Sequence, residues 1–368
     1  MTAPVIIEWL PSQTTPSARQ TELDQYVLSH PAGSLYHLSA WRLAVQAAYG
    51  HAGGALVALQ GRQIVGLLPW CQMQFLGFNA KQVAVPFADY CDILADSDEV
   101  QAQLLATAMK QLENGKAKRL QLRVRTAATD EPAPDTATKP DANSNQAQKV
   151  CMQVALPASS ELLLASYKPK LRSQIKKAGK NGLTAELADT VTALHEFYAI
   201  YCQNMHRLGS PVHRLQWFEQ LLRNLPRGAC YRIALVRSEG VAIGAGLVFY
   251  FANKAWIPWA STLARYNHLA PNMLLYWQIQ AHLADHGVTC FDMGRSTPGE
   301  GTYRFKQQWG AKPVALHWPS YTAQGLVQLP AQSAQNGRLR PAIEAIWRKL
   351  PLAVATRLGA AVRGYISL

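Results

Sequence analysis

The sequence has few of the features that mark disulfide-rich, metal-binding or secreted proteins. Its six cysteines are scattered along 368 residues, and none forms a Cys-x-x-Cys pair or stands at metal-ligand spacing from a histidine. This pattern excludes a disulfide framework and the common zinc motifs, so we expect small apolar thiols in a reducing compartment. The first ten residues include Glu8 and lead directly into Pro11, unlike a secretory signal peptide. We therefore expect a cytoplasmic protein that binds no metal.

Long hydrophobic runs and acidic residues are also scarce. The longest apolar run, Val241–Ala252, is too short to cross a bilayer and is rich in strand-forming residues. The chain has 36 Lys and Arg against 23 Asp and Glu, a formal net charge of +13. Such an excess favours an anionic partner, namely tRNA, CoA, a nucleotide-linked precursor or an anionic membrane surface. An enzyme that is simply basic is the alternative. No DNA partner is predicted.

Apolar periodicity divides most of the chain into two halves with the same order of elements. Each half runs from a helix through a glycine-turned hairpin to a further strand, a helix and a final strand. The first helix is predicted at 38–49 and its hairpin turns at Gly61; in the second half the helix is 191–207 and the hairpin turns at Gly240. The shared order predicts a mixed α/β (α+β) fold made of two tandem copies of one unit.

Composition then sets the predicted domain boundaries. We predict an N-terminal domain at 1–157, a C-terminal domain at 158–328 and a basic amphipathic tail at 329–368. Within the first domain, 127–148 is rich in Pro, Ala, Asp, Thr and Asn and is predicted to be a disordered loop. The tail has apolar residues at helical spacing and a single acid beyond residue 337, Glu344. It can lie on an anionic membrane surface or dock on the body of the protein, and both outcomes stay open.

The most distinctive segment is Phe291–Gly310, which follows a strand-like apolar run. It combines several charged side chains with glycines, and bulky Phe305 and Trp309 flank its last cation, Lys306. Charged groups beside glycines at a strand end are typical of a polar pocket that a ligand approaches closely. We predict that the function is concentrated in this segment.

Several segments of the sequence resemble one known family. They are Ala32–Trp41, Gln63–Pro69, Asp89–Asp92, Lys170–Ala178, Met205–Pro211 and Phe291–Gly310. In this order they resemble the FemAB-type transferases, which are built from two GNAT-like (N-acyltransferase) domains. The resemblance is strongest to the subgroup found in bacterial exopolysaccharide and PEP-CTERM/exosortase gene clusters. It implies two tandem GNAT-like domains, in agreement with the repeated order of elements.

The resemblance implies transfer of an acyl or aminoacyl group to an amine of a cell-envelope, peptidoglycan or exopolysaccharide precursor. The co-substrate would be aminoacyl-tRNA, as in family members of peptidoglycan synthesis, or acyl-CoA, with no tightly bound cofactor. One alternative is an acyl-CoA-dependent GNAT acetyltransferase that acts on a small-molecule or protein amine. Another is a non-catalytic protein that binds RNA or a membrane surface.

The resemblance also implies site residues. Gly301–Gly310 matches the family's Phe-Lys element, which makes Lys306 the leading catalytic candidate, because a fixed cation stabilises the oxyanion of amide formation. The alternative is that Lys306 only caps a strand and binds a phosphate. Asp92 is predicted to orient the acceptor amine, although its turn can be purely structural. The predicted substrate-binding residues are Arg295, Ser296, Tyr303, Arg304, Phe305, Trp309, Asp89, Tyr90, Arg172, Lys176, Met205, Arg207 and Ser210.

Two apparent signals are assigned to structure instead of function. His206 and His213 are predicted to be surface histidines. Arg237–Ala242 satisfies the Arg-x-x-Gly-x-Ala pattern of ordinary acyl-CoA-binding enzymes, which requires a strand followed by a helix. Here Gly240 lies between two predicted strands, so a hairpin turn is the better interpretation.

Overall fold

The computed structural model describes residues 3–12, 17–75, 78–115, 117–125, 149–327 and 333–366. The loop predicted at 127–148 lies outside these ranges. The strands are β1 (Val5–Pro11), β2 (Gly53–Gln60), β3 (Gln63–Phe75), β4 (Phe78–Val83), β5 (Leu94–Ala95), β6 (Leu120–Gln121), β7 (Val124–Arg125), β8 (Val150–Ala155), β9 (Leu183–Ala188), β10 (Cys230–Ser238), β11 (Val241–Phe251), β12 (Lys254–Thr262), β13 (Cys290–Ser296), β14 (Lys312–His317), β15 (Ser320–Thr322) and β16 (Gly325–Val327). The helices are α1 (Ala18–Ser29), α2 (Ser39–Tyr49), α3 (Asp98–Asn114), α4 (Ser160–Ser166), α5 (Pro169–Lys180), α6 (Val191–Leu208), α7 (Leu215–Arg223), α8 (Pro271–Asp285), α9 (Gly301–Gln308), α10 (Ser333–Lys349) and α11 (Leu352–Val362).

Both halves are built on the same succession of elements. In the first, β2, β3 and β4 pair antiparallel in order, and α3 leads to β6, which pairs parallel with β4. In the second, β10, β11 and β12 pair in the same way, and α8 leads to β13, which pairs parallel with β12. Helical crossovers of this kind are what parallel pairing requires. The predicted tandem α/β architecture is confirmed.

The two sheets exchange strands near their junction. β7 and β8 come from the first half of the chain but flank β14 in the second sheet. β15 and β16 follow β14 and extend the first sheet through β6. Segments on either side of the predicted boundary at 157/158 therefore pair across it, and the boundary itself stays a prediction.

The hairpin between β10 and β11 explains the apparent CoA-binding pattern. Glu239 and Gly240 both have positive φ, 51° and 80°, as a tight hairpin turn requires. Arg237 donates to Glu186 and Glu196 at 2.7 Å each, so its guanidinium is held by carboxylates of this chain. The assignment of this segment to a turn is confirmed.

One large apolar cluster joins the two halves. Trp41 on α2 stacks on Trp259 of β12 with ring centroids 5.8 Å apart, and it meets Trp217 of α7 edge-on at 5.2 Å. Trp41 and Trp217 are fully buried. Burial of rings this large is among the strongest favourable terms in a core. The packing of α2 against α7 therefore fixes the position of one half against the other.

The C-terminal tail docks on the body. The ring N–H groups of His51 and His206 donate to the carbonyls of Gly364 and Leu350, at 2.7 and 2.9 Å. A Cβ at Gly364 would lie 2.5 Å from the ring of Tyr49, so the backbone there approaches the aromatic ring closely. His206 is half-buried where it contacts the tail, and its interpretation as a surface histidine stays a prediction. In the described ranges, no helix is both long and apolar enough to cross a membrane.

Candidate active site

The second sheet opens between β12 and β13. These parallel strands pair over three residues each, and the pairing ends at Trp256 opposite Asp292. Both strands continue, β12 to Thr262 and β13 to Ser296, without further pairing to each other. Strands that diverge leave backbone groups available at the opening, and polar groups that are not paired within the sheet must find another partner. The opening is therefore a natural place for a ligand.

A cavity of about 290 Å³ lies beside this opening. Residues 258–261 of β12 form one wall, and Met205 of α6 lies on another. Asp89 reaches the cavity from the loop after β4, so both halves of the chain contribute to it. His213 and Arg363 line it as well. The cavity is bounded by the first unit, the second unit and the tail.

Asp89 and Arg295 form a charged pair at the cavity wall. The backbone N–H of Arg295 donates to Asp89 Oδ2 at 3.1 Å, and its Nε lies 3.5 Å from Oδ1. The indole N–H of Trp318 donates to the carbonyl of Asp89, and the guanidinium of Arg295 lies 5.5 Å from the centre of the same indole ring. These contacts hold one carboxylate and one cation in fixed positions facing the cavity.

Lys306 lies directly behind this pair. It is 8% exposed, and its Nζ donates to the carbonyls of Gly294 and Arg295 at 2.9 and 3.0 Å. A Cβ at Gly294 would lie 3.7 Å from Asp89 Oδ2 and 3.9 Å from Lys306 Nζ, so the two side chains flank this glycine. Burial lowers the pKa of Lys306, and the carboxylates of Asp89 and Asp292 partly offset that effect. An ammonium has three N–H donors, so one remains for a ligand.

A buried carboxylate supports the same strand end. Asp292 is 3% exposed and accepts from the Tyr90 hydroxyl at 2.7 Å, the Cys151 thiol at 2.9 Å and the backbone N–H of Gly294 at 2.7 Å. The Tyr90 hydroxyl accepts in turn from the indole N–H of Trp256 at 2.8 Å. Burial raises the pKa of Asp292, and these donors partly offset the effect. The Asp292 carboxylate, which also accepts from Tyr90, thus fixes the backbone at Gly294.

Asp92 does not line the cavity. Its Oδ2 accepts from Arg125 Nε and Nη2 at 2.9 and 2.7 Å, and its Oδ1 accepts from the Arg125 backbone N–H at 2.7 Å. His37 contacts the carbonyl of Asp92 at 2.7 Å. Both carboxylate oxygens are thus engaged by a neighbouring strand. Of the two aspartates in this turn, Asp89 faces the cavity.

The other predicted residues divide into two groups. Met205 joins Asp89 and Arg295 at the cavity, and Ser296 is buried close by at the end of β13 with a hydroxyl that has no partner in the described part of the chain. The second group consists of predicted substrate-binding residues that do not line the cavity, namely Arg304, Tyr303, Phe305, Trp309, Arg172, Lys176, Arg207 and Ser210.

The residues outside the cavity have identifiable positions. Arg304 is exposed and donates to the carbonyl of Gly299 at 2.9 Å. Trp309 packs into the second apolar cluster, while Lys176 is exposed on α5. Because α9 is a helix, the side chains at 304 and 306 point in different directions and only Lys306 reaches β13. The binding roles predicted for this group stay predictions.

Among the cavity residues that sequence reasoning missed are His213 and Arg363. His213 was predicted at the surface but is 1% exposed, with Nδ1 2.6 Å from the Tyr49 hydroxyl, so that prediction was wrong. Burial lowers the pKa of His213 well below its ordinary value. Arg363 was counted only as part of a basic tail. The local sequence around either residue carries no signal for the cavity, because each reaches it through the packing of distant elements.

Acid should destabilise the fold through His37 and His213. Burial lowers the pKa of His37 to about 3 and that of His213 well below its usual value. Below a pH of about 6.5 the unfolded chain binds protons that the folded chain does not, so the free energy of unfolding falls as the pH falls. The expected loss approaches about 1.4 kcal/mol per pH unit for each histidine. Urea midpoints between pH 7 and pH 5 check this, and His37→Asn should flatten the slope; a constant midpoint contradicts it.

Among the residues that the structure describes, no three histidine, cysteine or acidic side chains are grouped so that they could hold a metal ion. The polar groups at the opening are two cations, one of them in contact with Asp89, together with buried Asp292 beneath them. Such a set suits the binding of an anion and the stabilisation of a developing negative charge.

Comparison with known proteins agrees with this fold. Residues 165–307 match the model of the acetyltransferase (GNAT) domain family, a segment that contains β12, β13 and Lys306. The UDP-N-acetylmuramoylpentapeptide-lysine N(6)-alanyltransferase of Weissella viridescens is 23% identical over 128 residues, which are 35% of this chain and 38% of that protein. The chain thus matches well under half the length of this curated relative.

Solved structures cover more of the chain. The crystal structure of FemX superposes with a TM-score of 0.62 at 15% identity, over 81% of this chain and 94% of FemX. A tandem GNAT protein from the clavulanic acid biosynthesis pathway gives a TM-score of 0.53 at 13% identity, over 89% of this chain and all of its own (100%). Membership of the exopolysaccharide subgroup stays a prediction. The chain has the tandem GNAT fold, and its second unit contains the segment that matches the GNAT domain family.

Proposed function

We propose that the protein is an N-acyl- or aminoacyltransferase that forms an amide bond on the amine of a cell-envelope, peptidoglycan or exopolysaccharide precursor. The observation that supports this most directly is the opening between β12 and β13. There a cavity faces a carboxylate and a cation, and a buried ammonium lies behind them. The Weissella viridescens relative, by its name, transfers alanine to a lysine of a muramoyl pentapeptide, which gives a first acceptor to test.

The geometry suggests a separate role in the reaction for each of three side chains. An amine in the cavity attacks the carbonyl carbon of the donor, forming the C–N bond and placing a negative charge on the carbonyl oxygen. The remaining N–H of Lys306 would donate to that oxygen, and Arg295 would add positive charge nearby. Asp89 would accept the proton that the attacking nitrogen loses. The oxyanion then collapses, the bond to the thiolate or alkoxide breaks, and the leaving group takes up a proton.

The donor is the first point to establish. The match to the GNAT domain family favours an acyl-CoA, whereas the alanyltransferase relative motivates a test of alanyl-tRNA. Purified protein would be incubated with a UDP-linked muramoyl pentapeptide and either acetyl-CoA or alanyl-tRNA, and the products would be weighed by mass spectrometry. A mass gain of one acyl or alanyl group on the acceptor supports the proposal. No gain with any donor, for this and other envelope amines, would reject it.

The GNAT domain match also supports a second candidate. An acyl-CoA-dependent acetyltransferase that acts on a small-molecule or protein amine would use the same opening in the sheet. It would show thermal stabilisation by acetyl-CoA and transfer to simple amines, with no transfer to the muramoyl pentapeptide. This pattern of acceptors separates the two candidates.

We also propose that the exposed face of the tail rests on an anionic membrane surface. Ile343 and Ile346 are 57% and 64% exposed although the opposite side of the tail is docked. Lys349 on the same helix and Arg357 on α11 are exposed as well, and the acid Glu344 lies 3.3 Å from Arg348. Apolar side chains mixed with cations are the composition that binds at the interface of anionic lipids.

Vesicle binding tests the membrane proposal. The protein should co-sediment with vesicles that contain phosphatidylglycerol and much less with pure phosphatidylcholine. The double variant Ile343→Asp, Ile346→Asp should weaken binding by roughly tenfold or more, because two charges would enter the apolar interface. Val241→Asp is the matched control, since Val241 is equally exposed, at 56%, on a hairpin of the second unit. Equal binding by the double variant and the control would reject the proposal.

A further inference from the structure

The last described turn of the tail brings an arginine to the cavity. Arg363 begins a short 3₁₀ turn after α11, and its guanidinium lies 5.0 Å from the centre of the Phe87 ring at the cavity wall. One of its N–H groups donates to the carbonyl of Ile366. In the described part of the chain, no carboxylate forms an ion pair with it. The remaining donors of this guanidinium are therefore open to a ligand.

The cavity carries more positive than negative charge. Arg295 and Arg363 both line it, and Asp89, the one carboxylate that the described residues place on its wall, already contacts Arg295. Burial lowers the pKa of Arg363, and repulsion from Arg295 adds to that effect. An unpaired cation in a partly dehydrated site is costly unless something compensates it. An anionic ligand would supply that compensation.

The docking of the tail holds this arginine in place. His51 binds the carbonyl of Gly364 at 2.7 Å, the residue that follows Arg363. Arg214 Nε donates to the carbonyl of Ala360 at 2.9 Å, one turn before it. Backbone contacts on both sides thus fix the point from which the Arg363 side chain enters the cavity. A tail that only covered the body would not need a cation at this point.

We propose that Arg363 binds an anionic group, a carboxylate or a phosphate, of the amine substrate inside this cavity. The planar guanidinium matches either anion in a two-pronged geometry. Asn204 and Ser261 also line the cavity, where Asn204 Nδ2 lies 3.2 Å from the Ser261 hydroxyl, and this pair offers neutral hydrogen-bonding groups to the rest of the ligand. The amine itself would lie toward Asp89. This inference rests on the proposed function for the identity of the ligand, whereas the anion site stands on the cavity alone.

Anion binding without any donor tests the proposal. Titrations of the full chain at low ionic strength with inorganic phosphate and with acetate, followed by calorimetry, measure the two affinities. Arg363→Gln should weaken the tighter of the two by roughly tenfold or more, as expected for a lost charged hydrogen bond. Arg363→Lys should retain part of the affinity. Arg227→Gln, at an exposed arginine of the second unit that does not line the cavity, is the matched control and should bind like the unaltered protein.

The outcomes are separable. If phosphate binds more tightly than acetate, the substrate group is a phosphate; the reverse order indicates a carboxylate. Affinities of Arg363→Gln equal to those of the unaltered protein, no saturable binding of either ion, or an equal loss in Arg227→Gln would each overturn the proposal. Thermal melts of each variant show whether the fold is retained, and Arg363→Lys serves if Arg363→Gln unfolds. An anion site that depends on Arg363 in a protein that transfers no acyl group would reject the proposed function and leave this inference intact.

Discussion

Replacement of Lys306 by Gln should lower the rate of acyl transfer by about 100-fold or more while the protein remains folded. The ammonium is 8% exposed and held by two carbonyl oxygens at the end of β13, with one donor left for the oxyanion. In a site screened from water, a fixed cation stabilises the developing negative charge strongly, because little reorganisation is needed. Initial rates with the donor and acceptor established above measure the effect.

Gln307→Ala provides the matched control on the same helix. Gln307 is exposed on α9, so its loss should leave the rate nearly unchanged. Because burial lowers the pKa of Lys306, the rate should also fall as the pH rises through that lowered pKa. Lys306→Arg should not show this alkaline limb. Unchanged turnover in Lys306→Gln would remove Lys306 from the mechanism.

Replacement of Asp292 by Ala should produce the largest loss of stability. The change removes the acceptor of the Tyr90 hydroxyl and the Cys151 thiol, in residues that are 1% and 0% exposed, and of the half-buried Gly294 N–H. Each orphaned buried donor costs about 1–3 kcal/mol, so a loss of about 3 kcal/mol or more is expected. Urea unfolding measures it.

Two further variants make this result specific. Asp292→Asn keeps one acceptor oxygen and should lose less stability than Asp292→Ala. Asp189→Ala removes a carboxylate that is 57% exposed and paired with Arg232, and it should change stability little. A loss for Asp292→Ala no greater than that for Asp189→Ala would show that the buried network does not hold the strand end.

The sequence predicted most helices and hairpins because each depends on a short-range pattern. Apolar spacing placed α2 and α6, and the Glu239–Gly240 turn followed from glycine between two strand-like runs. The exchange of β7 and β15 between the sheets was not predicted. Strands of two or three residues carry too little pattern to choose a partner, so the surrounding sheet decides the pairing.

The candidate site was predicted only in part, because short-range patterns do not show which distant residues come together. Sequence reasoning selected Lys306 and Arg295, and the structure places the Lys306 ammonium against the backbone carbonyls of Gly294 and Arg295. It also selected Asp92, whose carboxylate is held by Arg125, and it overlooked His213, which is buried at the cavity. An aspartate in a turn and a histidine after a helix have the same sequence appearance whether they face solvent, a neighbour or a ligand.

By itself the sequence determined the order of elements, the repetition of one α/β unit, the excess of positive charge and the family to which the second unit is similar. Local patterns and composition carry this information. Only the tertiary structure decided that Asp89 and Arg295, 206 residues apart, share a cavity wall, and that Arg363 reaches the same cavity from the tail. These contacts depend on how the two sheets and the tail pack against each other. That packing follows from the burial of apolar side chains that are far apart in the sequence, so no local segment predicts it.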